Sequence, residues 1–205
     1  MINSEGYIKF NTNWQKHKID ISTKNFNAIN NWRHKLYKLN LIGALENGIG
    51  FGNISMREQN LSSFIITGSA SGNIAKLKKE HYARVTKTNI SCNTVDCEGL
   101  IKASSESLSH SVFYEYNKKI NSVIHIHNYE LWKYFLYKFP TTSVNAEFGT
   151  AELAKELQSI ILKSDKLSGI IILEGHKDGI ISFGDTLDTA GHKILELQRL
   201  FNSNT

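Results

Sequence analysis

Apolar residues recur along this chain with two periods, and each period predicts a different kind of element. A spacing of three or four positions, as in 26–45, is typical of an amphipathic helix. Short runs rich in isoleucine, valine and phenylalanine are typical of strands. The pattern predicts helices over 26–45, 104–117, 129–138, 151–163 and 186–201, and strands over 54–57, 63–67, 81–86, 90–95, 122–127, 169–173 and 179–183. This mixture indicates one α/β domain.

Length and composition fit such a domain. The 205 residues are 40% hydrophobic and 21% charged, which is ordinary for a globular protein. Residues 1–24 are polar, so we expect an N-terminal arm or edge element ahead of a domain over 25–205. Two cysteines, Cys92 and Cys97, are too few for a disulfide framework. We find no apolar leader and no run of ~20 apolar residues, and therefore expect a cytoplasmic protein without a membrane segment.

The net charge of +5 comes from scattered lysines and arginines. Its densest run, Lys76 to Lys79, precedes Glu80 and suits a solvated helix start. Nucleic-acid binding needs a continuous basic face with aromatic residues for stacking. The pattern contains no such face, so we expect no nucleic-acid partner. A mild positive excess helps to steer a small anionic substrate.

Two histidines in the strand 122–127 form the sharpest local signal. Side chains alternate between the two faces of a strand, so His125 and His127 point one way and the isoleucines between and before them point the other. The imidazoles lie ~7 Å apart along the strand and are able to converge on one metal ion. Taken alone, the pattern fits two surface histidines equally well.

A catalytic zinc site typically needs a third protein ligand. His176 follows the apolar strand 169–173 and lies in a glycine-containing loop, where functional side chains are common. By position alone, an exposed loop histidine is the simpler interpretation.

Glu106 follows Ser104 and Ser105 at the predicted start of a helix, in the first turn, where the helix dipole favours a carboxylate. This arrangement suits a plain helix cap. It also suits an anion site with a proton-transferring carboxylate. His110 lies one turn later and is able to pair with Glu106 or simply to pack. The small polar loops 52–55 and 67–72 fit either simple turns or anion-binding nests.

Six segments in this order resemble the class II aldolase/adducin family, over about 26–201. They are Gly52-Asn53-Ile54-Ser55-x-Arg57, Ile66-Thr67-Gly68-Ser69, Ser104-Ser105-Glu106 with His110, Val123-Ile124-His125-Ile126-His127, Phe148-Gly149-Thr150-Ala151-Glu152-Leu153, and His176 followed by 179–184. The resemblance implies a three-layer αβα fold with a central, mainly antiparallel sheet. It also implies homotetramers with active sites at subunit interfaces.

The resemblance implies a role for each matching residue. His125, His127 and His176 would hold one divalent metal ion per chain, with Zn²⁺ expected and Mn²⁺, Co²⁺ or Fe²⁺ as alternatives. Glu106 would be the catalytic acid/base. The substrate phosphate would be held by Asn53, Thr67, Gly68, Ser104 and Ser105.

Two departures from the family pattern leave questions open. The family usually has Thr-Pro-Ser-Gly in the second loop, whereas this chain has Thr67-Gly68-Ser69-Ala70-Ser71-Gly72, which weakens the expectation of a phosphorylated substrate. The family usually has His-Gly after the late strand, whereas two residues separate His176 from Gly179. Counting back from Gly184 makes Asp178 the third ligand instead. We favour His176, because the preceding strand fixes its reach.

The function expected from the resemblance is metal-dependent retro-aldol cleavage of a sugar or sugar phosphate through an enediolate. Dehydration or epimerisation of a ketose phosphate uses the same enediolate and is an alternative. A non-catalytic, adducin-like scaffold is a second alternative, and hydrolysis or decarboxylation at the same metal is a third.

Overall fold

The computed structural model describes residues 8–58 and 63–204. Most of the connection between the expected strands 54–57 and 63–67, and the first residues of the expected arm, lie outside these ranges. The elements run in the order β1 (Asn11–Gln15), α1 (Thr23–Lys38), β2 (Gly43–Ala44), β3 (Gly50–Phe51), β4 (Asn53–Arg57), β5 (Phe64–Thr67), a 3₁₀ turn (Lys79–His81), β6 (Tyr82–Asn89), β7 (Thr94–Glu98), α2 (Ser107–Tyr116), β8 (Ser122–His127), α3 (Tyr129–Phe135), α4 (Ala151–Ser164), β9 (Gly169–Ile172), β10 (Gly179–Gly184) and α5 (Leu187–Asn202).

One eight-stranded sheet organises the molecule, in the order β1-β7-β6-β5-β4-β8-β10-β9. Every neighbouring pair is antiparallel except β1 and β7 at one edge. Strands β2 and β3 form a separate small hairpin. The expected mainly antiparallel sheet is confirmed, with β8 in its interior between β4 and β10.

Two apolar clusters cover the two faces of this sheet. Helices α2 and α4 pack on one face, through residues such as Phe113 and Leu157. Helices α1, α3 and α5 pack on the other, through residues such as Leu36 and Ile194. The expected three-layer αβα arrangement is therefore confirmed. Among the described residues, none of the helices combines the length and the hydrophobicity that a membrane span requires.

The structure differs from expectation at the end of α1 and in the segment before β7. Helix α1 ends at Lys38 rather than near residue 45, because Asn40 adopts a left-handed backbone with φ 54° and turns the chain. The segment 90–93 is a turn rather than a strand. Asn93 has φ 50° there, and the side-chain oxygen of Asn89 accepts a hydrogen bond from the Cys92 N–H at 2.9 Å. Side-chain bonding of this kind competes with strand pairing.

Candidate metal centre and substrate cavity

Strand β8 presents His125 and His127 on one face of the sheet. Ile124 and Ile126, on the opposite face, are fully buried in the cluster with α1, α3 and α5. His125 lies opposite Asn53 of β4 and Ile181 of β10. Because β8 is paired on both sides, the direction of these imidazoles is fixed by the sheet rather than by a loop.

His176 reaches the same place through the tight β9–β10 connection. The Leu173 N–H donates to the Gly179 carbonyl at 3.0 Å, and the Gly179 N–H donates to the His176 carbonyl at 2.9 Å. An added Cβ at Gly179 would lie 3.1 Å from Cε1 of His125 and 3.2 Å from Cγ of His176. The glycine therefore leaves room for two imidazole rings to meet.

One ligand atom from each of the three histidines lies within 4.8 Å of the others. Their ring centroids are 4.7 to 4.9 Å apart. The Nε2 atoms of His125 and His127 are 3.0 Å apart. Two nitrogens bound to tetrahedral zinc at ~2.0–2.1 Å would lie about 3.3 Å apart. The spacing therefore fits a shared cation.

The backbone carbonyl of Ile180 determines which ring nitrogen of His125 carries the proton. Its Nδ1 donates to the Ile180 carbonyl at 3.2 Å, because a carbonyl only accepts. The Nε2 lone pair is then left for the cluster, and the Nδ1 bond is the usual outer bond of a metal-binding histidine. Burial, and then the neighbouring His127 and His176, hold the pKa of His125 well below its usual value. The ring is thus neutral, the form that binds metals.

The loop places His176 and Asp178 differently. His176 is buried in the three-histidine cluster. Asp178 is half-buried and adopts a left-handed backbone with φ 71°, and its carbonyl accepts from the Asn128 N–H at 2.9 Å. Within the described ranges, no cluster of three ligating side chains includes Asp178.

Glu106 lies beside the histidine cluster and is 2% exposed. Its Oε1 is 3.8 Å from Nδ1 of His176. Contrary to the sequence expectation, Glu106 is the N-cap residue of α2 rather than part of the first turn, because the helix begins at Ser107. The backbone N–H of Glu106 donates to Oγ of Ser104 at 3.3 Å. The carboxylate therefore stands at the N-terminal end of the helix, beside the three histidines.

His110 takes part in a buried network behind Glu106. Its Nδ1 is 2.7 Å from Oγ of Ser55, which is 2.6 Å from the hydroxyl of Tyr114. Burial lowers the pKa of His110 to about 3. This histidine is therefore neutral and packed at neutral pH.

A small polar cavity opens beside Glu106. Four of the five expected substrate-binding residues line it, namely Asn53, Gly68, Ser104 and Ser105. The side-chain oxygen of Asn53 is buried and has no hydrogen-bond partner among the described residues. Thr67, the fifth, does not line the cavity, because its Oγ1 accepts from the Ile54 N–H at 3.3 Å and so joins β4 to β5.

Two aromatic rings beside the histidines were not assigned to the site from sequence. Phe148 lies 4.9 Å from the His176 ring, and Phe51 lies 5.6 Å from the His127 ring. Phe148 belongs to one of the six family-like segments, so the resemblance contained a signal for it. Phe51 is part of the short β3 hairpin strand, which the periodicity did not reveal.

Comparison with known families identifies one match over most of the chain. The family described as "Class II Aldolase and Adducin N-terminal domain" matches residues 43–204. A search of curated proteins finds no significant match.

Several solved structures share the fold. An L-fuculose 1-phosphate aldolase superposes with a TM-score of 0.66 at 18% identity, over 89% of this chain and 85% of that chain. A sugar-phosphate aldolase from Thermotoga maritima gives 0.63 at 16% identity, over 86% and 91%. An L-fuculose-1-phosphate aldolase from Thermus thermophilus gives 0.56 at 20% identity, over 88% and 96%. At these identities, the likeness establishes the architecture.

Proposed function

Because the chain belongs to the class II aldolase and adducin family, we propose that it is a metal-dependent lyase performing retro-aldol cleavage of a sugar or sugar phosphate. The observation that carries the proposal is the convergence of three imidazoles within 4.8 Å, with the buried carboxylate of Glu106 beside them. Related solved structures named as fuculose-phosphate and sugar-phosphate aldolases support the substrate class. A non-catalytic scaffold has no need of this arrangement.

The histidine cluster would hold one divalent ion per chain, with Zn²⁺ the best match to three imidazoles and Mn²⁺, Co²⁺ or Fe²⁺ as alternatives. When bound, such an ion supplies a Lewis acid that stabilises negative charge developing on substrate oxygens. The protein's part is to keep His125 neutral, fix the direction of the rings and exclude bulk water. The burial of His125 and His176 serves the last two requirements.

Glu106 would move the proton. Cleavage of the C–C bond leaves its electron pair on the carbon next to the carbonyl, while the hydroxyl on the other fragment gives its proton to the Glu106 carboxylate as an aldehyde forms. Glu106, now the carboxylic acid, gives that proton to the carbon that received the electron pair. Dehydration and epimerisation would use the same carboxylate in the same position, so they are the nearest variants of this activity.

The polar cavity would hold the part of the substrate that does not react. The amide of Asn53, the hydroxyls of Ser104 and Ser105 and the backbone of Gly68 line it together with Glu106. Backbone and hydroxyl groups of this kind suit an anionic or hydroxylated substrate.

The active protein would be a homo-oligomer, with a tetramer expected. Tyr129 closely follows the β8 histidine strand and its ring is exposed, with the Lys177 ammonium 5.2 Å from its centroid. Aromatic residues are enriched at protein–protein interfaces relative to the rest of the surface. Light scattering is expected to give four chains per particle, and a monomer at all concentrations would contradict this part of the proposal.

Glu106→Gln tests the chemical role most sharply. The amide keeps the shape of the side chain but cannot donate or accept the proton, so turnover on a panel of aldol and dehydration substrates should fall ~10²–10⁴-fold. Metal content should stay at the wild-type value, because the amide leaves the three imidazoles in place. Full turnover with normal metal content would remove Glu106 from the mechanism.

A further inference from the structure

A charged residue interrupts the apolar face of helix α1. Arg33 follows Ile29 by one turn and precedes Leu36, and both of these neighbours are fully buried. Arg33 itself is 1% exposed. A buried guanidinium is costly unless its donors are satisfied, so its partners indicate what it is for.

Among the described residues, the hydrogen-bond partners of Arg33 are backbone carbonyls of one loop, and its guanidinium also lies 4.7 Å from the centroid of the Tyr37 ring. Its Nη1 donates to the carbonyls of Ile74 and Ala75, the second at 3.1 Å. Its Nη2 donates to the carbonyls of Ser71 at 3.1 Å and Gly72 at 2.9 Å. The planar fork of an arginine is suited to holding several acceptors in one arrangement. Arg33 therefore fixes this loop from behind.

The segment held by Arg33 overlaps one wall of the substrate cavity at Ser71 and Gly72. Residues 68–72, here called the polar loop, all line the cavity that also contains Glu106. Ala70 in this loop has φ 58°, a left-handed conformation that is unfavourable for a non-glycine residue. An added Cβ at Gly72 would lie 2.1 Å from the Gly43 carbonyl oxygen. The loop is thus held in a strained, closely packed shape that requires support.

The charge of Arg33 has no acidic counterpart in the described residues. None of the ion pairs there includes this side chain. Its guanidinium bonds directly to Ser71 and Gly72, whose other sides face the cavity. An anion in the cavity would therefore lie just across the loop from the guanidinium of Arg33. Because this region is buried, the two charges would attract each other more strongly than in water.

We propose that Arg33 is a positioning residue of the substrate cavity, which holds the polar loop in its binding shape and favours an anionic substrate group across it. The inference rests on the proposed function only in taking this cavity as the substrate site. The sequence of this loop departs from the usual family pattern, and Arg33 of helix α1 would stabilise it.

The test is the affinity of the purified protein for inorganic phosphate, measured by calorimetry. Arg33→Gln removes the charge and most of the donors, so the dissociation constant should rise at least about tenfold, since the lost interaction acts across a buried wall. Arg33→Lys keeps the charge but not the planar fork, and should give a smaller rise. Metal content should be the same in all three proteins.

Arg57 provides a matched control. Within the described part of the chain, its guanidinium likewise donates to backbone carbonyls, those of Tyr114, Asn117 and Ile120. It also lies near a tyrosine ring, 5.0 Å from that of Tyr114. It does not line the cavity and lies at the other end of β4 from Asn53. Arg57→Gln should lower the free energy of unfolding while leaving phosphate affinity unchanged.

Three results would overturn the inference. They are wild-type protein that binds no phosphate, an Arg33→Gln protein with wild-type affinity, and equal losses of affinity in the Arg33→Gln and Arg57→Gln proteins. If Arg33→Gln does not fold, an Arg33→Lys protein with unchanged affinity overturns it instead. Phosphate titration requires no turnover. Arg33-dependent binding without lyase activity would therefore contradict the proposed function alone, and activity without such binding would contradict this inference alone.

Discussion

His176 and Asp178 are two positions apart in one loop. The side chain of His176 lies in the three-histidine cluster, whereas no such cluster of described residues includes Asp178. The imidazole of His176 packs between the β8 histidines and Phe148. Asp178 occupies the left-handed turn that leads into β10. The structure therefore suits His176 as the third ligand and Asp178 as the residue that turns the chain.

Paired substitutions separate these two roles. His176→Gln should remove most of the bound metal, because a three-ligand site loses one of its donors. Asp178→Asn removes the carboxylate but keeps a residue that tolerates the left-handed backbone, so its metal content should equal the wild-type value. Elemental analysis of both purified variants checks this. Metal loss in Asp178→Asn alone would make Asp178 the ligand.

At the scale of elements, strand β8 connects the core to the site. Its isoleucines pack under α1, α3 and α5, while its histidines face the opposite side. Ile124 lies opposite Ile54 of β4 and Ser182 of β10 and is fully buried. The strand therefore anchors the core with one face and presents the imidazoles on the other.

Ile124→Ala should lower the free energy of unfolding by about 2–5 kcal/mol, because it leaves a cavity in a packed core. Ile124→Val, the matched control, should cost only ~0.5–1.5 kcal/mol. Chemical denaturation measures both. Metal content of the folded variants should be unchanged, since the side chain is on the other face. A loss below about 0.5 kcal/mol for the alanine variant would contradict the close packing.

At the scale of the whole molecule, local patterns predict some features and not others. Strand β8 and helix α4 follow from periodicity, and the direction of the two β8 histidines follows from strand alternation. The joining of His176 to them depends on the pairing of β9 with β10, which local pattern does not contain. The hydrogen-bond partners of Arg33 are backbone carbonyls 38 to 42 positions away along the chain. Because every residue has such a carbonyl, no side-chain pattern in the sequence predicts the burial of Arg33.

The stability of the folded chain should depend on pH through His110. Its pKa is about 3 in the folded protein and about 6.5 in an unfolded chain. Between these values only the unfolded state binds the proton, so stability falls as the pH is lowered from about 6.5 towards 3, by up to about 1.4 kcal/mol per pH unit for this one group. The folded protein keeps a neutral His110, and its network with Ser55 and Tyr114, throughout that window.

Denaturant unfolding of wild type and His110→Gln across this pH range isolates the contribution of His110. A difference in stability between the two proteins that is the same at every pH does not test the prediction, because the prediction concerns the slope of stability against pH. The stability of wild type should fall more steeply than that of the variant below the ordinary histidine pKa of about 6.5. Parallel curves would contradict the assignment of a buried, neutral His110.

Metal analysis of the purified protein tests the central claim most directly, with His125→Ala as the variant and His17→Ala, an exposed histidine outside the cluster, as the control. The account predicts about one divalent ion per chain in wild type and in His17→Ala, and a sharp loss in His125→Ala. Equal, near-zero metal in all three proteins after growth and dialysis with zinc would contradict it.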